Sequence, residues 1–319
     1  MKKILLSTVT ALMLFSCQNE QAESSDSNLN VSARRGCATQ EVFEAQLKAN
    51  PALAIKMNEI EAFTAKHSLS NFTGRLVNGK IEIPVVVNVL YRTAAQNISN
   101  AQIQSQIDVL NKDFNALNSD YNSVPALFSG VKANIGITFV LDQVIRKSTT
   151  KTSWGTNDAM KKTAQGGLAP TSPTTKLNIW TCNIGNNILG YAQFPGGSSS
   201  TDGVVIDPRY FGLSGTANAP FNLGRTATHE VGHWMNLRHI WGDATCGSDL
   251  VADTPTHNEE NYGVPAYPHY STCSGTPVEM TMNYMDYVDD IAMYMFTNGQ
   301  KNRISAIFTT GGARASFAQ

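Results

Sequence analysis

Three histidines and one glutamate are spaced as a catalytic metal site requires. Residues 229–239 read HEVGHWMNLRH. Residues i and i+4 share one helix face, so His229 and His233 can present ring nitrogens to the same ion. Glu230 is rotated by about 100° around such a helix, which places its carboxylate beside the ion as a general base. With His239 as a third ligand, one tetrahedral position is left for water, which is typical of catalytic rather than structural zinc.

His239 can join this group only if the helix ends before it. Six residues correspond to about 600° of helical rotation, which would turn His239 away from His233. Asn236 lies between them, and asparagine adopts the left-handed conformation more readily than any residue except glycine. We therefore predict a turn at Asn236. The alternative is an ordinary amphipathic helix that carries surface histidines.

The segment resembles the metzincin metallopeptidases, whose signature is H-E-x-x-H-x-x-G-x-x-H followed by a methionine-containing turn. Asn236 replaces the signature glycine. The longer run HEVGHWMNLRHIWGD, with a later MDY at 285–287, is similar to the pappalysin/cytophagalysin branch of that family. The similarity covers residues 75–319. It implies an α/β (α+β) catalytic domain with an upper twisted sheet and helices, zinc at the floor of a cleft, and an irregular lower part after His239.

The resemblance also implies roles for three residues near the C-terminus. Met285 would lie beneath the metal, and Tyr287 would stabilise the oxyanion of the tetrahedral intermediate. Asp290 would lie at the base of the S1′ pocket and pair with a basic side chain, which predicts cleavage N-terminal to Arg or Lys. A core tyrosine and a solvated loop carboxylate are the simpler alternatives. A substrate would extend along an edge strand near 190–192, although that stretch can equally be an ordinary edge strand.

The loop-rich part after the motif contains two cysteines and several oxygen-bearing side chains. In an oxidising compartment Cys246 and Cys273 can form a disulfide, and closing a loop of about 28 residues is worth roughly 3.5 kcal/mol. Four residues could bind structural calcium, and the family resemblance favours calcium over the alternative of turns and helix caps. They are Asp249, Asp253, Thr254 and Thr256, in a loop that also contains Asp243.

The N-terminus predicts export. Residues 1–17 combine Lys2 and Lys3 with a short apolar run, which is typical of a signal peptide. The tetrad at 14–17 resembles a bacterial lipobox with a lipid on Cys17, so both an outer-membrane lipoprotein and a freely secreted protein remain open. The net charge of −1 argues against nucleic-acid binding. We expect a monomer.

The rest of the chain divides into a pro-segment at 18–74 and a catalytic domain at 75–319. Residues 18–35 are polar, and helical periodicity runs from Thr39 to His67. An α/β order of elements follows, with a helix capped by Ser99. Strands are predicted at Ile81–Tyr91, Ile135–Leu141, Lys176–Asn183 and Gly203–Asp207, and a last helix at Gly299–Phe308.

Cys37 is the predicted latency switch. It follows two arginines in RRGCAT, and a thiolate there could occupy the open zinc position, with the nearby cations lowering its pKa. A disulfide with Cys182 is the alternative, although Cys182 more simply is a small buried side chain. The connector after the pro-helices contains one arginine, Arg75, so we predict autolytic cleavage at Gly74–Arg75.

We therefore expect an exported zinc endopeptidase that acts on protein or peptide substrates. The main alternative is a surface lipoprotein that binds zinc without turnover. A peptidoglycan amidase is a third possibility. Glu230 argues against the lipoprotein, since zinc binding alone needs no base, and the methionine turn argues against the amidase.

Overall fold

The structure of this protein is a computed structural model that describes residues 34–69 and 71–318. The predicted signal peptide with Cys17, and the linker as far as residue 33, lie outside the described residues. In the described ranges, no helix has the length and apolar character that crossing a membrane requires.

The fold is mixed α/β. The strands are β1 (Ile81–Tyr91), β2 (Lys132–Ala133), β3 (Ile137–Ser148), β4 (Leu177–Thr181), β5 (Gly190–Ala192), β6 (Val204–Ile206) and β7 (Phe296–Thr297). The helices are α1 (Thr39–Ala49), α2 (Ala52–His67), α3 (Asn100–Asp113), α4 (Arg225–Trp234) and α5 (Asn298–Phe308). Five strands form one sheet in the order β3-β1-β4-β6-β5. All neighbours in this sheet are parallel except β5, which is antiparallel to β6 at the edge.

The β-branched residues of β1 suit a strand that lies inside the sheet. In β1 the residues from Val85 to Leu90 are all buried, because neighbouring strands flank it and both faces are covered. The α3 helix begins as predicted, with the Ser99 side chain accepting a hydrogen bond from the backbone N–H of Gln102. Packing of α3 against β3 and α4 covers one face of the sheet.

Several strand boundaries differ from the sequence prediction, and two of these differences have a clear structural cause. The β3 strand continues past Leu141 to Ser148, where polar, half-exposed residues still pair with β1 at the sheet edge. Edge pairing of this kind needs no apolar pattern, so periodicity missed it. The β4 strand ends at Thr181, because the chain then leaves the sheet and Asn183 accepts a hydrogen bond from the Trp154 N–H.

The first two helices pack on the rest of the protein rather than standing apart from it. Four of their apolar side chains form a small core with Phe194, which follows the edge strand β5. They are Phe43, Leu53, Met57 and Ile60. The α2 helix also packs against α5. The predicted pro-segment is thus ordered from residue 34 onward, apart from the undescribed residue 70.

The α4 helix lies against β5 and β6, so its motif faces the edge of the sheet. After α4, residues 235–289 form turns and isolated bridges, without an α-helix or a strand. A disulfide between Cys246 and Cys273 crosses this region, with sulfur atoms 2.07 Å apart. The part of the domain that follows α4 is therefore irregular, as the family resemblance implied.

Candidate metal centre and active site

The three histidines of the motif converge on one point. The Nε2 atoms of His229 and His233 are 3.1 Å apart, and those of His233 and His239 are 3.0 Å apart. Between His233 and His239 the helix ends, and Asn236 has a φ of 72°, the left-handed conformation expected there. All three imidazoles are buried.

Each imidazole is fixed through its other ring nitrogen. The Nδ1 atom of His229 lies 2.7 Å from the carbonyl oxygen of Tyr284, and that of His233 lies 2.8 Å from the carbonyl oxygen of Leu237. The Nδ1 atom of His239 lies 2.5 Å from a carboxylate oxygen of Asp243. Donation from Nδ1 leaves the Nε2 lone pairs free to bind a metal. Burial, and next the neighbouring imidazoles, lower the pKa of His229 and His233, which keeps both rings neutral as ligands.

Glu230 lies beside the histidines and is bonded to the pro-segment. Its carboxylate accepts a hydrogen bond from the Thr39 hydroxyl at 2.8 Å and lies 3.4 Å from the Cys37 sulfur. Burial raises the pKa of Glu230 to about 7, although the contacts with Cys37 and Thr39 lower it. Thr39 in turn accepts a hydrogen bond from the Ala192 N–H of the edge strand. The Glu230 carboxylate, the predicted general base, is therefore occupied by this segment.

Cys37 lies in the histidine cluster. One ligand atom from each of Cys37, His229, His233 and His239 falls within 4.8 Å of the others, and this is the one such cluster in residues 34–69 and 71–318. Backbone hydrogen bonds hold the segment against β5: the Ala38 N–H donates to the Gly190 carbonyl, and the Leu189 N–H donates to the Gly36 carbonyl. Cys37 and Cys182 are both free thiols, so the alternative disulfide is absent.

The two arginines before Cys37 do not act on its thiol as predicted. The Arg34 guanidinium stacks over the Tyr262 ring, with 4.8 Å between its carbon and the ring centroid. Arg35 turns toward Asp290. Burial raises the pKa of the Cys37 thiol well above its usual value, and the charge of Glu230 raises it further. The predicted lowering by nearby cations is wrong for this arrangement, and a bound metal ion is what would stabilise the thiolate.

Asp290 forms the floor of a buried pocket filled by Arg35. One Arg35 nitrogen lies 2.6 Å from the carboxylate, and the two side chains are 1% and 0% exposed. The second carboxylate oxygen accepts hydrogen bonds from the backbone N–H groups of Leu223 and Arg225. Arg35 also donates to the Val288 carbonyl. The carboxylate is thus desolvated and placed to recognise a cation, rather than solvated on a loop.

Met285 and Tyr287 border the histidines on the side of the irregular lower part. Met285 is fully buried beneath α4, and a Cβ atom on Gly232 would meet its sulfur at 2.5 Å. The Tyr287 ring centroid lies 4.9 Å from that of His239. Its hydroxyl donates a hydrogen bond to the Cys37 carbonyl oxygen at 3.2 Å. This hydroxyl therefore faces any chain that passes over the histidines.

The proposed calcium loop is held by its own hydrogen bonds. Asp249 accepts from the Val251 N–H and the Thr254 hydroxyl, which closes a turn. Asp253 accepts from the Thr297 hydroxyl and the Gly299 N–H at the start of α5. Thr256 is exposed. These contacts are turn and cap interactions, so calcium binding at this loop has no structural support.

Sequence reasoning missed three residues that act on this site. Arg35 was interpreted only through its charge, Thr39 was interpreted as the start of a helix, and Asp243 was grouped with the calcium loop. Asp243 follows His239 by four residues in HIWGD, and a carboxylate at that spacing can orient a ligand after a turn. The partners of Arg35 and Thr39 are about 150 to 255 positions away.

Comparisons with known proteins agree with this geometry. The family model Peptidase_M43, described as pregnancy-associated plasma protein-A, matches residues 174–309. An extracellular metalloprotease of Arthroderma benhamiae is 32% identical, and the match covers 70% of this chain and 76% of that protein. Mature mirolysin of Tannerella forsythia, solved with a cleaved peptide, is 43% identical with a TM-score of 0.73, covering 75% of this chain and 96% of that one. A promirolysin mutant is 39% identical with a TM-score of 0.81, covering 89% and 97%.

Proposed function

This chain belongs to the Peptidase_M43 family of pappalysin-type metzincins and is a zinc metalloendopeptidase, and from that premise we propose that it is a secreted zymogen that cleaves before Arg and Lys. One observation carries the proposal. Residues 35–39 contact Asp290, the three histidines and Glu230 at the same time. Secretion is supported by the relatives, which are named extracellular metalloproteases.

The histidines fit a zinc ion by their donor chemistry. His229, His233 and His239 would hold it through Nε2 atoms whose rings are fixed at Nδ1. When bound, zinc would polarise the scissile carbonyl and acidify a water molecule. Glu230 takes a proton from the attacking water and returns it to the amine of the leaving group. Its buried position beside the histidines suits both transfers.

Tyr287 is proposed to stabilise the oxyanion. In the precursor its hydroxyl already donates to a backbone carbonyl oxygen above the histidines, that of Cys37. A substrate carbonyl in the same place would receive the same hydrogen bond, and the bond would strengthen as negative charge develops on that oxygen. Met285 has no chemical role in this scheme and supports the floor of the site by packing under α4.

The pro-segment crosses the site in the direction opposite to a substrate. If Asp290 binds an arginine that follows the scissile bond, the residue before this arginine must lie at the metal during cleavage. In the precursor, the residue at the histidines is Cys37, two positions after Arg35. The pairing of Cys37 with Gly190 is parallel. Residues 35–39 thus fill the subsites of a substrate without offering a bond for cleavage.

Maturation is proposed to occur at Gly74–Arg75. The connector between α2 and β1 has little regular structure, and Arg75 is exposed. Arg75 also satisfies the preference that Asp290 would impose, and residues 75–319 make up nearly the same share of the chain as mature mirolysin matches. Removal of residues up to 74 would release Arg35, Cys37 and Thr39 together.

The mechanism is tested by replacing the base. Glu230→Ala leaves all three histidines in place, so zinc content should remain near one per chain, while casein cleavage should fall by several orders of magnitude. Phenanthroline should abolish wild-type activity and added zinc should restore it. A Glu230→Ala enzyme that cleaves casein at nearly the wild-type rate would exclude Glu230 as the base. Absence of casein cleavage by the wild-type protein with bound zinc would instead favour the alternative of a protein that only binds zinc.

Autolysis is tested in the same background. The mature wild-type protein should begin with the sequence RLVNGK, and a Glu230→Ala precursor incubated alone should not yield this N-terminus. Added mature enzyme should then produce it. Processing of the inactive precursor at this bond without added enzyme would show that the chain does not cleave itself, and that autolysis is wrong.

A further inference from the structure

A carboxylate of the pro-segment joins two arginines of the catalytic domain. Glu61 lies on α2, and one nitrogen of Arg303 lies 2.5 and 2.6 Å from its two oxygens. A nitrogen of Arg238 lies 3.3 Å from the same carboxylate. Glu61 is the only carboxylate within ion-pair distance of either arginine in residues 34–69 and 71–318. Both arginines would therefore lose this partner when the pro-segment leaves.

The two arginines are held in place by the catalytic domain itself. Arg303 donates to the Asn236 carbonyl oxygen at 2.7 Å, and its side chain is 6% exposed. Arg238 lies over the Phe194 ring, with 5.5 Å between its guanidinium carbon and the ring centroid. The Nε atom of Arg238 is buried without a hydrogen-bond partner among the described residues. This unused donor points to a further ligand, since buried polar groups are normally satisfied.

Space for a ligand exists beside the pair. A cavity of about 740 Å³ lies between α2, α5 and the loop around Leu250, with Glu61 and Arg303 in its wall. Residues of α2 form one side of this cavity, so cleavage at Gly74–Arg75 would remove that side. Arg303 would then face an open groove.

The path of the pro-segment gives the position of the pair relative to the scissile bond. Cys37 pairs with Gly190, Thr39 bonds Ala192, and Phe43 packs on Phe194 with ring centroids 5.3 Å apart. The path thus leads from the Asp290 pocket, past the histidines, to Phe194. The Phe194 ring lies 5.5 Å from that of His233. Arg238 is therefore on the opposite side of the metal centre from Asp290.

We propose that Arg238 and Arg303 form a carboxylate-binding subsite of the mature enzyme, which recognises an acidic side chain on the N-terminal side of the scissile bond. Glu61 occupies this subsite in the precursor. The inference rests on the proposed cleavage before Arg or Lys. Phe194 lies four positions beyond Gly190, two residues past the end of the edge strand β5. An extended substrate therefore reaches Arg238 with about the third to fifth residue before the scissile bond.

Two guanidinium groups favour a carboxylate over other ligands. Arginine stays charged and presents several N–H donors in a planar group that matches carboxylate oxygens. Hydrogen bonds in which both partners are charged are stronger than neutral ones, and partial burial reduces their competition with water. Glutamine has nearly the same shape as glutamate but no charge. A Glu/Gln pair of substrates therefore isolates this interaction.

The test uses the mature enzyme and quenched fluorescent peptides with arginine directly after the scissile bond. The third, fourth and fifth residues before that bond are glutamine in the parent peptide and are replaced singly by glutamate. At the best position, the glutamate peptide should have about tenfold higher kcat/KM than its glutamine partner. Arg238→Gln should reduce this ratio severalfold, with the remaining preference due to Arg303. Lys301→Gln, which removes a positive charge from the same helix as Arg303, should leave the ratio at its wild-type value.

Each outcome separates this inference from the proposed function. If peptides with arginine after the bond are not cut there, the proposed function fails. If they are cut, but glutamate gives no advantage at any of the three positions, the subsite is wrong. A glutamate preference of unchanged size in Arg238→Gln also overturns it, because the preference then arises elsewhere. The expected ratio should also shrink as salt is raised, since screening weakens partly exposed charge pairs.

Discussion

Arg35 offers the sharpest test of how the precursor is held inactive. Its ion pair with Asp290 is almost fully buried. Removing one partner of a buried pair typically costs about 3–5 kcal/mol. Asp290 would keep the N–H groups of Leu223 and Arg225, so we expect the lower end, about 3 kcal/mol. The fraction of precursor with an open site should then rise on the order of 100-fold in Arg35→Ala.

The assay measures peptidase activity of intact precursor. An Arg75→Ala background removes the proposed cleavage bond, so that activity reports opening rather than conversion. Arg34→Ala is the matched control, because Arg34 is exposed and its guanidinium stacks on Tyr262. An exposed contact of this kind should change the open fraction by at most about fivefold. Equal activities of the Arg35→Ala and Arg34→Ala precursors would refute the role of the buried pair.

Three further predictions concern other parts of the site. Cys37→Ser should make the intact precursor more active than wild type, because a hydroxyl binds zinc less well than a thiolate; an unchanged precursor activity would count against the switch. Asp243→Asn should weaken zinc binding by about 10–100-fold in competition with a chelator, because Asp243 orients His239, and unaltered affinity would contradict that role. Cys246→Ala with Cys273→Ala should lower the free energy of unfolding by about 3.5 kcal/mol in denaturant titration, whereas a loss below about 1 kcal/mol would show that the disulfide contributes little.

The sequence predicts local features of this protein well and distant contacts poorly. The turn at Asn236, the Ser99 cap and the β1 strand depend on neighbouring residues, and all three are present. The contact between Arg35 and Asp290 spans 255 positions and leaves no periodic or spacing signal. The pKa of Cys37 was predicted in the wrong direction, because burial and Glu230 outweigh charges that point elsewhere.

Calcium binding is a prediction that the structure does not support. Asp and Thr in a loop serve turns, helix caps and calcium sites alike, so composition alone does not separate these uses. In the structure Asp249 closes a turn and Asp253 caps α5. The direction in which each carboxylate points distinguishes a turn or cap from a calcium site. That direction depends on packing against α5.

The most direct test of the proposed function is the sequence of its products. A denatured protein should be digested with the mature enzyme, and the new N-termini identified by mass spectrometry. Most should be arginine or lysine, and Asp290→Ala should lose that preference while it still cuts, because the pocket loses its carboxylate. New N-termini that are mostly apolar, or a preference unchanged in Asp290→Ala, would contradict the assignment of the specificity pocket.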